Sequence, residues 1–202
     1  MYTLYYSPGA CSLATQVVLK ELAQEVKIID VNTLENFQSI NPVATVPVLV
    51  DDDKILTEGA AIMLYILDKH KNSMLPSSED ARQKAIQNIM FANATMHPAY
   101  GRLFFLAQHI DDEIIKQSAL NSAADSINNL WQVVEKKLTF QSFLGGDSPS
   151  AADIMLAVYS TWGQYFPVKI LLGERTNRML NAIQTMPNFI EAVAAEQVVS
   201  KK

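Results

Sequence analysis

The chain has 202 residues, of which 49 % are hydrophobic and 18 % charged, so it can bury a sizeable core and disorder is excluded. Its formal net charge of -5 excludes a general nucleic-acid binder, which carries a basic face. One cysteine excludes an internal disulfide and fits a reducing cytoplasm; there is no basic signal-peptide start, and no apolar run reaches the ~20 residues of a membrane span.

The first element is a short β-rich run, Tyr2 to Tyr6. Ser7-Pro8-Gly9 is turn chemistry, because Pro fixes φ and Gly permits positive φ. Leu13, Val17, Val18 and Leu22 then recur at helical spacing. Cys11 therefore falls at the start of a helix, where unpaired N–H groups and the macrodipole favour negative charge. The expectation is a thiol of lowered pKa and a place that welcomes an outside thiolate. Position 14 is Ala, so no second cysteine stands three residues on, and Cys11 can react only with an outside thiol.

Val26 to Val31 reads as a second strand, which completes a βαβ unit with parallel strands. Thr33 to Ile40 reads as a helical turn closed by Asn41-Pro42. Val46 to Val50 is a third strand, Asp51-Asp52-Asp53 a solvated hairpin tip, and Lys54 to Thr57 a fourth strand. A cis bond before Pro47 would turn the Val46 N–H and C=O outward, as an edge on which an extended peptide could pair. A helix then runs to about His70, with Thr57 as its cap and Glu58 at its positive end. Gly59 leaves room there for a ligand carboxylate, and Glu58 could hold an ammonium beside it. A thiol, an extended backbone and a free α-amino acid end together describe a small peptide.

The polar stretch 71–78 reads as a linker between a first domain, 1–74, and a second, 79–202. The second is all-helical, with patterns at roughly 79–110, 113–139, from Ser150, 175–184 and 187–199. Pro98 should interrupt the first of these. Ser150 and Asp153 have capping-box spacing ahead of an apolar run. His70 and His109 read as surface residues; three dispersed histidines and one cysteine do not form a metal site.

Three segments carry a resemblance: Leu4 to Ser12, Asn41-Pro42 with Thr45 to Leu49, and Leu56 to Ile62. In order and spacing they resemble the cytosolic glutathione S-transferases, most closely the bacterial beta-like class. The resemblance implies an α/β thioredoxin-like N-terminal domain plus an all-α C-terminal domain. It implies glutathione as co-substrate, no metal, and a cytoplasmic homodimer in detoxification. Glutathione would be bound by Cys11, Thr45, Val46, Pro47, Glu58, Gly59 and His97. Cys11 and His97 would act on the thiol, with Tyr6 or Ser12 as further hydroxyl donors. Tyr100, Arg102 and Phe104 would line the pocket for a small hydrophobic electrophile, between the domains. Two alternatives use the same fold: a glutathione-dependent thiol reductase or peroxidase with Cys11 in a mixed disulfide, and a non-enzymatic partner-binding protein. Two positions depart from the class: no lysine stands between Val31 and Ile40, and residue 59 is Gly where many relatives carry Ser.

Overall fold

The structure is a computed structural model that describes residues 1–199. Its contacts divide into two compact units, Met1–Ile86 with Gln184–Lys202, and Gln87–Ile183. The expected linker, 71–78, lies inside the first unit, and the last helix groups with the first unit as well. The final three residues of the expected 79–202 domain lie outside the described residues.

The first unit holds a four-stranded sheet in the order β2-β1-β3-β4. Strand β1 (Tyr2–Tyr6) alternates, with Tyr2, Leu4 and Tyr6 buried, as period-2 burial requires. It pairs in parallel with β2 (Val26–Asp30) and antiparallel with β3 (Val48–Asp51), which forms a hairpin with β4 (Lys54–Leu56). The hairpin turn is Asp52-Asp53, with Asp52 at φ +52°, a region Asp tolerates. Asp51 is not part of a solvated tip. It is 6 % exposed, accepts from Tyr65 Oη at 2.6 Å and is ion-paired with Lys69.

Helix α1 (Ser12–Glu21) crosses from β1 to β2, and α2 (Gly59–Lys69) follows β4. Leu13, Val17 and Val18 of α1, with Ile62, Met63, Ile66 and Leu67 of α2, are buried. Each such side chain contributes ~1.5–3 kcal/mol through burial. His70 corrects the surface reading: its Nε2 lies 2.7 Å from Tyr2 Oη, and the ring is half-buried.

Six further α-helices follow among the described residues: α3 (Glu79–Met90), α4 (His97–His109), α5 (Glu113–Lys137), α6 (Ala151–Ser160), α7 (Glu174–Gln184) and α8 (Pro187–Val199). Between α3 and α4 lies a π-type turn, Phe91–Met96. Pro98 has no N–H for the carbonyl four residues back, at Ala94, so the i→i−4 ladder breaks there. The capping box of α6 is complete: Ser150 Oγ accepts from Asp153 N at 3.3 Å, and Asp153 Oδ2 accepts from Ser150 N at 2.8 Å. Asp153 also accepts from Leu144 N at 2.9 Å, so one buried carboxylate ties the preceding loop to the helix.

Candidate functional site in the first unit

After β1 the chain turns through Ser7 to Ala10, with Ala10 N donating to Ser7 O at 3.0 Å. Gly9 sits at φ +71°, which explains the glycine. Cys11 is the cap position of α1, and its Sγ donates to Val46 O at 3.3 Å. Two segments that the sequence keeps 35 residues apart therefore meet at one hydrogen bond. The thiol does not have the lowered pKa expected of a helix start. Burial pushes it up to about 11, and the N–H groups of Cys11 and Ser12 offset only part of that. The desolvation cost of a thiolate outweighs the helix-end field here.

The Val46–Pro47 bond is cis. Asn41 shapes the approach: its Nδ2 donates to Thr45 O at 2.8 Å, its Oδ1 accepts from Val43 N at 3.2 Å, and Ala44 takes φ +58°. Val46 and Pro47 precede the strand, which begins at Val48. Thr45 is exposed, Val46 half-buried and Pro47 buried.

Glu58, not Thr57, is the cap position of α2, and its side chain makes no cap hydrogen bond. Its carbonyl accepts the Ile62 N–H at 2.9 Å. Its backbone stands at φ +67°, ψ 110°, outside the wells that a residue with a Cβ ordinarily occupies. Such a conformation costs about 1–3 kcal/mol and clusters at ligand sites. Glu58 is exposed, so its carboxylate is available to a cation, and Gly59 begins the helix beside it.

Tyr6 and Ser12 do not present hydroxyls at the surface. Both are 0 % exposed, and neither hydroxyl has a partner among the described residues. Burial, with Asp30 and Glu196 nearby, pushes the Tyr6 phenol up to about 12. The side chains place both in the core behind the Cys11 turn.

The second unit holds the other expected residues. The His97 ring meets Tyr159 and Trp162 edge-on, with centroids 5.2 and 5.3 Å away, and burial lowers its pKa. Tyr100 is a core residue, not a pocket wall: it is fully buried and its Oη accepts from Trp131 Nε1 at 2.9 Å. Arg102 is exposed, and Phe104 is 36 % exposed against Trp162, Tyr165 and Phe166. No cluster of three His, Cys, Asp or Glu suited to a metal occurs among the described residues.

Residues 1–68 match the family described as glutathione S-transferase, N-terminal domain. Glutathione S-transferase GST-4.5 of Xanthomonas campestris pv. campestris is 34 % identical over 165 residues, covering 79 % of this chain and 81 % of its own. The chain belongs to the glutathione S-transferase family. It is accordingly a transferase enzyme, with the thioredoxin-like sheet and helical region that the three segments implied. A solved sphingomonad glutathione S-transferase, described as complexed with glutathione, superposes with a TM-score of 0.82 at 29 % identity. It covers 97 % of this chain and 99 % of its own. A bacterial beta class glutathione S-transferase of Sphingomonas chungbukensis gives 0.82 at 27 % identity, covering 96 % and 98 %. The beta-like class of the resemblance agrees with that neighbour.

One polar residue near the Cys11 turn escaped the sequence reading. Glu196 of α8 is 4 % exposed and accepts from Gly9 N at 2.9 Å. The signal was available: Glu196 sits seven residues after Phe189 and four after Ala192, on an otherwise apolar stripe.

Proposed function

We propose that the first unit binds glutathione and activates its thiol for attack on an electrophilic carbon. The observation that carries this reading is the Cys11–Val46 hydrogen bond, which sets a thiol beside a main-chain edge. The cysteinyl backbone of glutathione pairs with Val46, flanked by Thr45 and Pro47. Its γ-glutamyl ammonium meets Glu58, and its carboxylate takes N–H groups at the start of α2 from Gly59 onward.

With its proton retained at neutral pH, Cys11 is a hydrogen-bond donor. When glutathione binds, that one S–H proton turns from the Val46 carbonyl to the incoming sulfur, and a donor there lowers the pKa of the glutathione thiol by favouring its thiolate. The reaction then balances simply. The glutathione S–H loses its proton to a base, the thiolate sulfur bonds to the electrophilic carbon, and the leaving group departs with the carbon's former bonding pair. In the second unit, the half-buried His97 has its pKa lowered by desolvation, which favours the neutral, proton-accepting imidazole. Within the second unit by itself, Phe104 and Arg102 offer the apolar and cationic surface that an electrophile would take.

The reductase reading needs Cys11 as thiolate to attack a disulfide, and burial opposes that form. The test is Cys11→Ala: conjugation of glutathione to an aryl halide slows about tenfold with the loss of one donor but persists, while any reduction of a mixed disulfide is abolished. Failure of the wild-type chain to bind glutathione would overturn the reading. A cytoplasmic homodimer acting on toxic electrophiles completes the proposal; the net charge of -5 suits a solvated surface, and sedimentation of the intact chain tests the dimer.

A further inference from the structure

Helix α8 is tied to α1 along its length. Asn188 Nδ2 donates to Glu21 Oε1 at 2.9 Å, and Lys20 Nζ to Glu191 Oε2 at 3.2 Å. Gly9 N, just before α1, donates to Glu196 Oε2 at 2.9 Å. The pairings 188–21, 191–20 and 196–9 run in opposite chain directions, so the two helices are antiparallel. The two contacts at the far end of α1 are exposed and worth little. The contact at the Cys11 end is different, because Glu196 is 4 % exposed. A carboxyl group buried on a stripe with Phe189 and Ala192 is costly unless it is hydrogen-bonded. Its partner, Gly9, lies two residues before Cys11 in a turn whose φ of +71° suits glycine.

We propose that Glu196 is a positioning residue of the glutathione site: by accepting the Gly9 N–H it fixes the turn that holds the Cys11 thiol against the Val46 carbonyl. The inference rests on the glutathione reading of that site. It explains why a helix 187 residues away from Gly9 reaches the turn before α1 with an acid. Burial raises the Glu196 carboxyl to about 7, opposed by the Gly9 bond and reinforced by Asp30. Either protonation state keeps an oxygen able to accept the Gly9 N–H, and so does a glutamine amide.

The experiment compares wild type, Glu196→Gln, Glu196→Ala and Glu196→Leu, the last keeping the stripe filled if the alanine variant fails to fold. Iodoacetamide alkylation of Cys11, the only cysteine, is followed at pH 8 in 0 to about 1 M urea, well below the unfolding range of most small domains. Glu196→Ala and Glu196→Leu label about tenfold faster than wild type, as expected for losing one hydrogen bond to a charged group. Glu196→Gln stays within about twofold of wild type, because its amide oxygen still accepts. The faster labelling does not change with low urea, since a local opening exposes little surface. KM for glutathione rises in the alanine and leucine variants and recovers in the glutamine variant. Unchanged labelling in Glu196→Leu overturns the proposal, and so does an increase that climbs with urea in step with global unfolding. Calorimetric titration of wild type with glutathione separates the two claims: no binding there defeats the glutathione reading, while the labelling comparison still decides the role of Glu196 in holding the turn.

Discussion

The retained proton of Cys11 gives the sharpest prediction. At pH 7.5 a free thiol of pKa ~8.5 is about one-tenth thiolate. Cys11, pushed up to about 11, is thiolate in about one molecule in 3,000. The population ratio alone slows alkylation about 300-fold. A more basic thiolate is intrinsically more nucleophilic, and a Brønsted coefficient of ~0.4–0.5 over that interval restores about tenfold. The native protein should therefore react with iodoacetamide roughly 20-fold more slowly than the same chain unfolded in guanidinium at pH 7.5. The rate should also climb about tenfold per pH step up to about pH 10 without a bend. The assay is mass spectrometry of the quenched time course, which is unambiguous with one cysteine. A rate that levels off below pH 8.5, or native reactivity above the unfolded control, refutes the argument that burial beats the helix end. The linkage has a matching sign. The folded pKa exceeds the unfolded one, so the contribution of Cys11 to stability is complete below ~8.5 and is lost as pH rises towards about 11.

Glu58→Gln should raise KM for glutathione about 10- to 100-fold, the cost of losing a charge-assisted bond to an ammonium, with little change in melting temperature. Glu58→Gly should add stability: relieving φ +67° outweighs the added chain entropy, so the midpoint in urea rises while KM for glutathione increases at least as much as in Glu58→Gln. Asp153→Ala leaves buried N–H groups of Ser150 and Leu144 without their acceptor and should destabilise by about 3–5 kcal/mol in urea titrations, against ~1 kcal/mol for an ordinary cap. Asp51 is held below the usual carboxylate range by Lys69 and then Tyr65, so its contribution is present above ~3.9 and disappears as pH falls; Asp51→Asn should flatten that limb of the stability curve. Gly173→Ala drives a Cβ into the Glu135 carboxyl, which accepts from Thr176 N at 2.8 Å, and should lower the melting temperature by displacing that cap from α7.

Much of the fold was legible in local pattern. Alternation at Tyr2, Leu4 and Tyr6, the 3.6 spacing of Leu13 and Val17, and the Ser150–Asp153 pair each specify their element without outside help. Glycine and proline marked the breaks at Gly9 and Pro98 for steric reasons that act within a few residues. Where the reading erred, distant groups intervened. Asp51 looked like a turn residue until Lys69 and Tyr65 closed over it, and Thr57 looked like a cap until the backbone of Glu58 took that place. Tyr6 looked like a site hydroxyl and Tyr100 like a pocket wall, but their strand and helix faces point into the core. The compact units also follow packing rather than the polar stretch at 71–78, because α8 buries Phe189 and Ala192 within the first unit.

The sequence by itself determined which residues could do the chemistry: one thiol at a helix start, a proline-bordered edge and an acid ahead of a glycine. These follow from residue type and spacing, which act over a turn or two of chain. Only the tertiary structure decided the protonation of Cys11, the partner of its thiol and the reach of Glu196 to Gly9. Desolvation and long-range hydrogen bonds depend on what packs around a group, and that is set by segments 35 and 187 residues away.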